Sequence, residues 1–202
     1  MFRTDFPSSL QALPVAGGGL YYAEAFLPPA EADDCLAALR REVPWKQSEI
    51  RLYGRTVREP RLGCWMGDAG AVYRYSGTVF RPEPWIAPVL GVKQAVEAAT
   101  GQVFNSVLLN LYRDGRDAMG WHSDDEPELG PAPVIASVSL GGVRRFLLRE
   151  RRAGARSSGI ALAHGSLLVM AGDLQQRYRH SVPRTAKPVA ARVNLTFRRI
   201  LG

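Results

Sequence analysis

The sequence predicts a mainly β, α+β fold in which N-terminal helices pack on a C-terminal β core. Short apolar runs alternate with turn residues, among them 20 Gly and 14 Pro in 202 residues, and this texture is more typical of β proteins than of helical bundles. Helical periodicity is confined to two segments of the first hundred residues. From residue 103 onward, β-rich runs follow one another without helical segments, which indicates an antiparallel sandwich or barrel.

Two helices are predicted in the N-terminal half. The first covers residues 29–43, opens on a pair of prolines, carries acidic residues in its early turns and ends before Pro44. Its apolar stripe consists of Leu36, Leu39 and Val43. The second covers about 87–99, and its apolar face consists of Val89, Val92, Val96 and Ala99.

Five β-rich runs predict the strands of the core. They are residues 103–112, 134–140, 145–149, 165–171 and 190–200. A basic loop of small residues, 151–159, links two of them. Because no repeat or linker interrupts the chain, we expect a single domain over residues 1–202, with about 1–100 as an N-terminal extension and about 101–202 as the β core.

Composition and charge restrict the function classes. Lys and Arg outnumber Asp and Glu by 26 to 19, which gives a net charge of +7 and a pI near 9.8. Such a surface attracts polyanions such as nucleic acid, although a merely solvated basic surface gives the same composition. Two distant cysteines, Cys35 and Cys64, indicate reduced thiols rather than a disulfide framework. No apolar stretch approaches the ~20 residues of a membrane span, and no secretory signal begins the chain, so a cytoplasmic protein without a membrane partner is expected.

Two histidines and one aspartate form a candidate metal site. His122 and Asp124 are two residues apart, so on an extended segment they point to the same side. His180 follows 56 residues after Asp124, far enough to arrive from another strand. Two histidines and one carboxylate form the facial triad of non-haem Fe(II) oxygenases, but three protein ligands also suit catalytic zinc, so the triad alone leaves the metal open.

The C-terminal run adds a candidate pocket for an anion. Alternation places four polar side chains on one face: Arg192, Asn194, Thr196 and Arg198. Two guanidinium groups in line suit a small dicarboxylate, although an exposed, solvated strand face would show the same pattern. Asn110 and Tyr112, also two apart, form a second polar pair on the β-rich run that ends ten residues before His122.

Five segments together resemble the AlkB family of nucleic-acid dealkylases. They are residues 110–115 (NLYRDG), 121–127 (WHSDDEP), 135–141 (IASVSLG), 164–168 (HGSLL) and 192–198 (RVNLTFR). They occur in the family's order and at compatible spacing, and the resemblance covers roughly residues 50–200. It implies a double-stranded β-helix, or jelly-roll, as the catalytic core, with the N-terminal extension acting as a nucleotide-recognition lid.

The resemblance also implies roles for these residues. His122, Asp124 and His180 become the Fe(II) ligands. Arg192 pairs with the distal carboxylate of 2-oxoglutarate, helped by the Tyr112 hydroxyl. The pocket is completed by Asn110, Asn194, Thr196 and Arg198, with Arg198 nearer the metal and counted among the catalytic residues. His164 is assigned to a structural turn, since it has no HxD partner.

The reaction implied by the resemblance uses Fe(II), 2-oxoglutarate and O₂. Oxidative decarboxylation of 2-oxoglutarate to succinate and CO₂ is coupled to hydroxylation of an N-alkyl carbon, and the product collapses to formaldehyde and the repaired base. The expected partner is alkylated DNA carrying lesions such as 1-methyladenine or 3-methylcytosine, with RNA as an alternative, and the protein is expected to act as a monomer.

A base must leave its stack to reach a buried iron, so aromatic walls and edge contacts are expected. Similarity to the family makes Tyr75, near Tyr73 and Ser76, a stacking wall opposite His122. Asp125 and Glu126 are the candidate acidic contacts to a cationic methylated base, or else a solvated acidic turn.

A second group of candidates concerns the nucleic-acid strand. Tyr53, Gly54 and Arg55 resemble the hairpin that some members insert into duplex DNA, followed by Arg61; an ordinary exposed turn is the alternative. The strings around Asn110 and His122 resemble members that favour single strands, so strandedness stays open. The remaining candidate phosphate contacts, weighed against a solvated basic run, are Arg144, Arg145, Arg149, Arg151 and Arg152.

Two other functions compete with dealkylation. One is a 2-oxoglutarate dioxygenase that acts on a protein or a small molecule, with the basic charge incidental. The other is a nucleic-acid binding module built on an inactive jelly roll. The intact triad and the two-arginine strand argue against the second, and the aromatic and acidic residues around the triad argue against the first.

Overall fold

Two antiparallel sheets of seven and four strands face each other and form the body of the protein. The computed structural model describes residues 10–52, 55–71, 73–75 and 78–201, and the side chains of residues 50–52, 55, 73–75 and 78–80 are left undescribed. Two further two-stranded hairpins lie apart from these sheets.

The strands are mostly short. In chain order they are β1 (Gln11–Ala12), β2 (Gly19–Ala23), β3 (Glu49–Leu52), β4 (Arg55–Arg58), β5 (Leu62–Gly67), β6 (Tyr73–Tyr75), β7 (Thr78–Phe80), β8 (Ser106–Tyr112), β9 (Met119–His122), β10 (Ile135–Gly141), β11 (Arg144–Glu150), β12 (Ser158–Leu162), β13 (Ser166–Ala171), β14 (Tyr178–Val182) and β15 (Arg192–Arg198). The large sheet has the order β1-β2-β13-β10-β15-β8-β5, the small sheet has the order β12-β11-β14-β9, and the two hairpins pair β3 with β4 and β6 with β7. The helices are α1 (Pro29–Glu42), α2 (Ala87–Thr100) and α3 (Leu174–Arg177), and a 3-10 turn covers Pro127–Leu129.

Both predicted long helices are confirmed to within one residue at each end. Helix α1 begins at Pro29, with Glu31 in its first turn and basic residues in its last turn, as the helix dipole favours. Helix α2 ends at Thr100 and is capped by Gly101, whose φ of 63° is left-handed and therefore suits glycine. None of the described helices is long and apolar enough to cross a membrane.

The hydrophobic core has two layers, one on each side of the large sheet. The outer layer packs the helices against the sheet and includes Leu39, Val89, Val96, Leu109 and Leu195. The inner layer joins the two sheets and includes Ile135, Phe146, Leu148, Leu168 and Met170. Burying a large apolar side chain contributes about 1.5–3 kcal/mol, so these layers hold the strands in fixed register. The apolar side chains of β15 pack in the outer layer, so its polar side chains point toward the inner layer.

The predicted mainly β class and jelly-roll core are confirmed, and each of the five predicted strands is present with bounds shifted by up to three residues. The chain also contains strands that periodicity did not predict, because many of them are only two to five residues long. Strands β1, β2 and β5 come from the first hundred residues and complete the large sheet. The sheet therefore runs across the boundary expected between N-terminal extension and core. Cys35 and Cys64 are free, as predicted.

Candidate metal centre and co-substrate pocket

The two candidate metal-binding histidines lie side by side on neighbouring strands. His122 ends β9, and its Cα partner across the ladder is His180 on β14. Their ring centroids are 4.1 Å apart. Asp124 follows two residues after β9, and the three residues each offer one ligand atom within 4.8 Å of the others. This spacing is the one that a single metal ion requires, and it confirms that the HxD pair and His180 converge.

Neighbouring contacts orient the two imidazoles. Nδ1 of His122 lies 2.9 Å from the Gly120 carbonyl oxygen. Because a carbonyl can only accept, Nδ1 carries the proton and Nε2 is left as the metal-ligating atom. The His180 ring stacks on Phe146 with centroids 5.2 Å apart. Both rings are thereby held before any ion binds.

The electrostatic environment favours the metal-binding protonation states of the two buried triad residues, His180 and Asp124. Burial is the main cause that lowers the pKa of His180 to about 3, with His122 adding to it, so the ring is neutral at pH 7. Burial alone would raise the pKa of Asp124, but Arg198 and then the two histidines lower it below its ordinary value. Arg198 donates to Asp124 Oδ1 at 2.9 Å. A neutral imidazole and an ionised carboxylate are the forms that bind a metal.

The polar face of β15 is buried, not solvated. Strand β15 lies between β8 and β10, so it is central in the large sheet and not an edge. Arg192 is 1% exposed, Asn194 8% and Thr196 7%. In register they lie opposite residues of β8, with Arg192 facing Tyr112 and Asn194 facing Asn110. The predicted pocket residues of the two strands therefore share one face.

Arg192 is prepared for an anion. Its Nη2 donates to Ser139 Oγ at 2.9 Å, while Nε and Nη1 are buried and have no hydrogen-bond partner among the described residues. Its guanidinium carbon lies 5.1 Å from the centroid of the Tyr112 ring. Burial lowers the pKa of Arg192, yet a guanidinium stays charged in proteins. A buried charge with free donors fits the carboxylate of a bound co-substrate.

The amides of the pocket are held by the sheet itself. Asn194 Nδ2 donates to Ser137 Oγ at 2.8 Å and to the Val138 carbonyl at 2.9 Å. Thr196 Oγ1 lies 3.4 Å from Asn194 Oδ1. Asn110 Oδ1 accepts from Arg61 Nε at 2.9 Å. These bonds hold the polar side chains at the base of the pocket, while two nitrogens of Arg192 and Nε of Arg198 have no hydrogen-bond partner among the described residues.

The acidic pair beyond the HxD lies at the rim of the site. Arg151 forms an ion pair with Asp125. Glu126 is half-buried, its Oε2 has no hydrogen-bond partner in the described part of the chain, and burial raises its pKa. A cavity of about 310 Å³ opens beside them and is also lined by Pro127, Pro131 and Gln175.

The remaining predicted nucleic-acid contacts are only partly described. Tyr53, Gly54 and Ser76 lie outside the described residues, and Arg55, Tyr73 and Tyr75 belong to strands whose side chains are not described. The side chain of Arg61 is only 11% exposed, and Nη2 donates to Glu59 at 2.7 Å. These assignments stay predictions.

The candidate phosphate contacts divide into two classes. Arg144 is 3% exposed and donates to the carbonyl oxygens of Asp114, Asp117 and Pro183 at 2.7–3.0 Å. Its assignment as a phosphate contact is wrong, because alternation along β11 turns it into the protein while the neighbouring Arg145 points outward. The others lie at or near the surface: Arg145, Arg149, Arg151 and Arg152.

His164 has the structural role that was predicted. Its Nδ1 accepts the Gly141 N–H at 2.7 Å, and its Nε2 lies 3.3 Å from Asp33 on α1. The next residue, Gly165, has a φ of 73° and begins the turn into β13. The contacts join the helix to the sheet at a distance from the triad.

Sequence reasoning missed three residues that support the site. Ser137 and Ser139 stand two apart in an otherwise apolar strand, and this spacing was the signal that could have found them. Gln175 Oε1 accepts the backbone N–H of Asp124 at 3.0 Å. No sequence pattern marks it, because the contact joins residues 51 apart in the chain.

Comparison with known proteins agrees with this geometry. The 2OG-Fe(II) oxygenase superfamily model matches residues 19–198. Human DNA oxidative demethylase ALKBH2 is 41% identical over 182 residues, which cover 85% of this chain and 70% of the relative. Human alpha-ketoglutarate-dependent dioxygenase alkB homolog 3 is 41% identical over 184 residues, which cover 87% of this chain and 64% of that relative. The chain thus spans about two thirds of the length of these relatives.

The fold has a counterpart among solved structures. The structure of OsALKBH1 aligns with a TM-score of 0.62 at 19% identity, covering 94% of this chain and 99% of that one. At this identity the likeness shows a shared fold.

Proposed function

Because the chain belongs to the 2OG-Fe(II) oxygenase superfamily and is an AlkB homologue, we propose that it repairs alkylated bases in DNA by oxidative dealkylation. The observation that carries the proposal is the metal triad, His122, Asp124 and His180, standing beside a buried arginine with unused donors. One relative is a DNA oxidative demethylase, which supports DNA as the substrate class.

The protein is an Fe(II)- and 2-oxoglutarate-dependent dioxygenase, and its residues divide the work of binding and orientation. The triad would hold Fe(II), and Arg192 would bind the distal carboxylate of 2-oxoglutarate. When bound, iron and co-substrate supply the oxidising power that hydroxylates the N-alkyl carbon, and the hydroxylated group leaves as formaldehyde. Arg198 keeps Asp124 ionised and in place. The packed inner layer keeps His180 buried.

Charges on the outer face of the small sheet support a nucleic-acid substrate. Arg149 and Arg179 are Cα partners across the β11–β14 ladder, and like charges in this position destabilise a sheet unless an anion neutralises them. The guanidinium carbon of Arg149 lies 4.5 Å from the centroid of the Trp121 ring. Trp121 is 37% exposed and immediately precedes His122. Exposed aromatic rings and arginines beside a site are what a nucleic-acid strand requires.

A turnover assay tests the proposed function. The protein is incubated with Fe(II), 2-oxoglutarate and oligonucleotides that contain one 1-methyladenine or 3-methylcytosine, and formaldehyde, succinate and repaired base are measured. We expect one formaldehyde per repaired base and no repair without Fe(II) or 2-oxoglutarate. His122→Ala, Asp124→Ala and His180→Ala should each remain folded and inactive. Near-normal repair by any of the three would contradict the triad assignment.

Surface variants test the substrate class. Arg149→Ala/Arg179→Ala should weaken binding to a single strand and reduce the salt slope of log affinity by roughly 0.7 per lost phosphate contact. The control Arg40→Ala/Arg41→Ala removes the same charge from α1, which packs on the other side of the large sheet. It should change the affinity and the salt slope far less. Equal losses in the two double variants would show that net charge, not this face, binds the strand.

The same assay, run on matched single-stranded and duplex substrates, tests strandedness. We propose Tyr53 as a wedge that fills the space left by a flipped base. Tyr53→Ala should then slow duplex repair tenfold or more and spare the single strand, because base–aromatic stacking is worth about 1–3 kcal/mol. An equal fall on both substrates would assign Tyr53 to the base pocket or the fold instead. Parallel RNA oligonucleotides decide between the two nucleic acids.

A further inference from the structure

A buried glutamine stands behind the carboxylate ligand of the metal site. Gln175 is 2% exposed in the short helix α3, whereas its neighbour Gln176 is exposed. A buried amide costs free energy unless its polar atoms find partners. Oε1 accepts from the Asp124 backbone N–H at 3.0 Å, and Nε2 lies 3.3 Å from the Met170 sulfur. Both ends of the amide are therefore occupied.

The orientation of this amide follows from its partner. The Asp124 backbone N–H can only donate, so the atom that faces it must be the amide oxygen and not the amide nitrogen. The nitrogen then points to the Met170 sulfur, which is a weak acceptor. The stronger of the two contacts is thus the one to the metal-ligand segment, and the reason for a glutamine at this position lies there.

Asp124 needs such support because its backbone lies outside the sheet. Strand β9 ends at His122, and residues 123–126 belong to no strand or helix. Three side-chain contacts hold the segment near the ligand: Ser123 Oγ to the Tyr178 carbonyl at 2.7 Å, Gln175 to the Asp124 N–H, and Arg198 to the Asp124 carboxylate. Two of these three partners lie in residues 174–182, the stretch that also carries His180.

We propose that Gln175 is a positioning residue of the metal centre: it ties the Asp124 backbone to the α3–β14 segment and so fixes the carboxylate relative to His180. The inference rests on the proposed function, because it takes the triad as the iron site. Outer contacts of this kind orient metal ligands, and their loss commonly costs 10–100-fold in metal affinity or activity.

The test measures metal binding without turnover. The apo-protein is titrated with Mn(II), a stand-in that needs no oxygen exclusion, and the free ion is followed by electron paramagnetic resonance. Gln175→Met and Gln175→Leu both remove the acceptor, and the unbranched Met side chain preserves the shape. We expect each to raise the Mn(II) dissociation constant about tenfold. The visible absorbance of the anaerobic Fe(II)·2-oxoglutarate complex should also shift, which a purely structural role would not cause.

Gln176→Leu is the matched control, since it makes the same substitution on the same helix without touching Asp124. Its Mn(II) dissociation constant should stay within twofold of that of the parent protein. The inference is overturned if both Gln175 variants have Mn(II) dissociation constants within twofold of the parent's value. It is also overturned if Gln176→Leu raises the dissociation constant as much as the Gln175 variants do. A different result separates the failure of the proposed function: if His122→Ala binds Mn(II) as the parent does, the triad is not the metal site.

Discussion

Arg192 carries a buried positive charge that no acidic side chain neutralises within the described residues. In the absence of an anion this charge costs stability, because burial removes its hydration and two of its nitrogens have no hydrogen-bond partner among the described residues. A bound dicarboxylate would recover that cost as binding energy. Arg192 thus lowers the stability of the co-substrate-free protein and raises its affinity for the co-substrate.

Arg192→Met should separate these two quantities. Hydrogen bonds to a charged group contribute about 1.5–3 kcal/mol, so the KM for 2-oxoglutarate is expected to rise about 10- to 150-fold. The free energy of unfolding of the empty protein should be unchanged or higher, because the methionine buries no charge. Steady-state kinetics and urea unfolding give the two values. A variant that lost DNA affinity and kept its KM would instead make Arg192 a phosphate contact.

The residues that could be predicted were those whose chemistry is local in sequence. The HxD pair is visible because its two ligands are adjacent on one extended segment, and the row from Arg192 to Arg198 is visible because a strand alternates. Gln175 could not be predicted, because its partner Asp124 lies 51 residues away in the chain and no sequence motif marks the contact. Arg144 was misassigned because a run of arginines on a strand hides which of them turns inward.

At the scale of elements, Arg144 joins two separate loops. It lies at the start of β11, and its guanidinium binds carbonyl oxygens before β9 and after β14. Those are the two strands that carry His122 and His180, so the arginine holds the ends of the metal-binding strands in place. The contact makes a charged side chain part of the inner layer.

Arg144→Met should therefore destabilise the fold. It leaves three carbonyl groups without their charged donor, and a loss of about 3 kcal/mol or more in the free energy of unfolding is expected. Arg145→Met is the matched control on the outward face and should stay within about 0.5 kcal/mol. Urea unfolding of both variants decides. Equal, small effects would mean that the three bonds contribute nothing net.

Elements with strong periodicity were predictable, and short ones were not. Helices α1 and α2 each bury a stripe at 3.6-residue spacing, and β10, β13 and β15 are six or seven residues long and almost fully buried. Strands β9 and β14 span only four and five residues, and the first is largely exposed. Their pairing depends on the sheet around them and not on their own sequence, which is why the ligands were found before the strands that carry them.

At the scale of the whole molecule, the metal site is a source of instability that the two core layers offset. Two histidines, a carboxylate and three arginines (Arg144, Arg192 and Arg198) lie in or beside the inner apolar layer. The outer layer, in which helices cover the large sheet, holds none of these metal-site residues among those that the structure describes. The protein thus places its stabilising burial on one side of β15 and its chemistry on the other.

Acid should unfold the metal-free protein through His180. Burial lowers the folded-state pKa of His180 to about 3, while the unfolded chain takes up the proton near its ordinary value of 6.5. Between these values the unfolded state binds more protons, so the free energy of unfolding rises with pH and is lost as pH falls from about 6.5 toward 3. The slope from one such group is at most about 1.4 kcal/mol per pH unit.

The window from pH 6.5 to 4.5 separates this effect from that of Asp124, because the lowered pKa of Asp124 causes its own loss only at more acidic pH. The raised pKa of Glu126 acts in the opposite direction within the window and is common to the parent and the variants. Urea unfolding in the presence of a chelator, repeated across the window, should show the parent losing stability while His180→Gln, which cannot be protonated, loses less. His164→Gln, which removes a histidine outside the metal centre, is the matched control. If His180→Gln and the parent lose stability in parallel, the acid sensitivity comes from other groups, and the buried neutral imidazole at the metal centre is not what limits the protein at low pH.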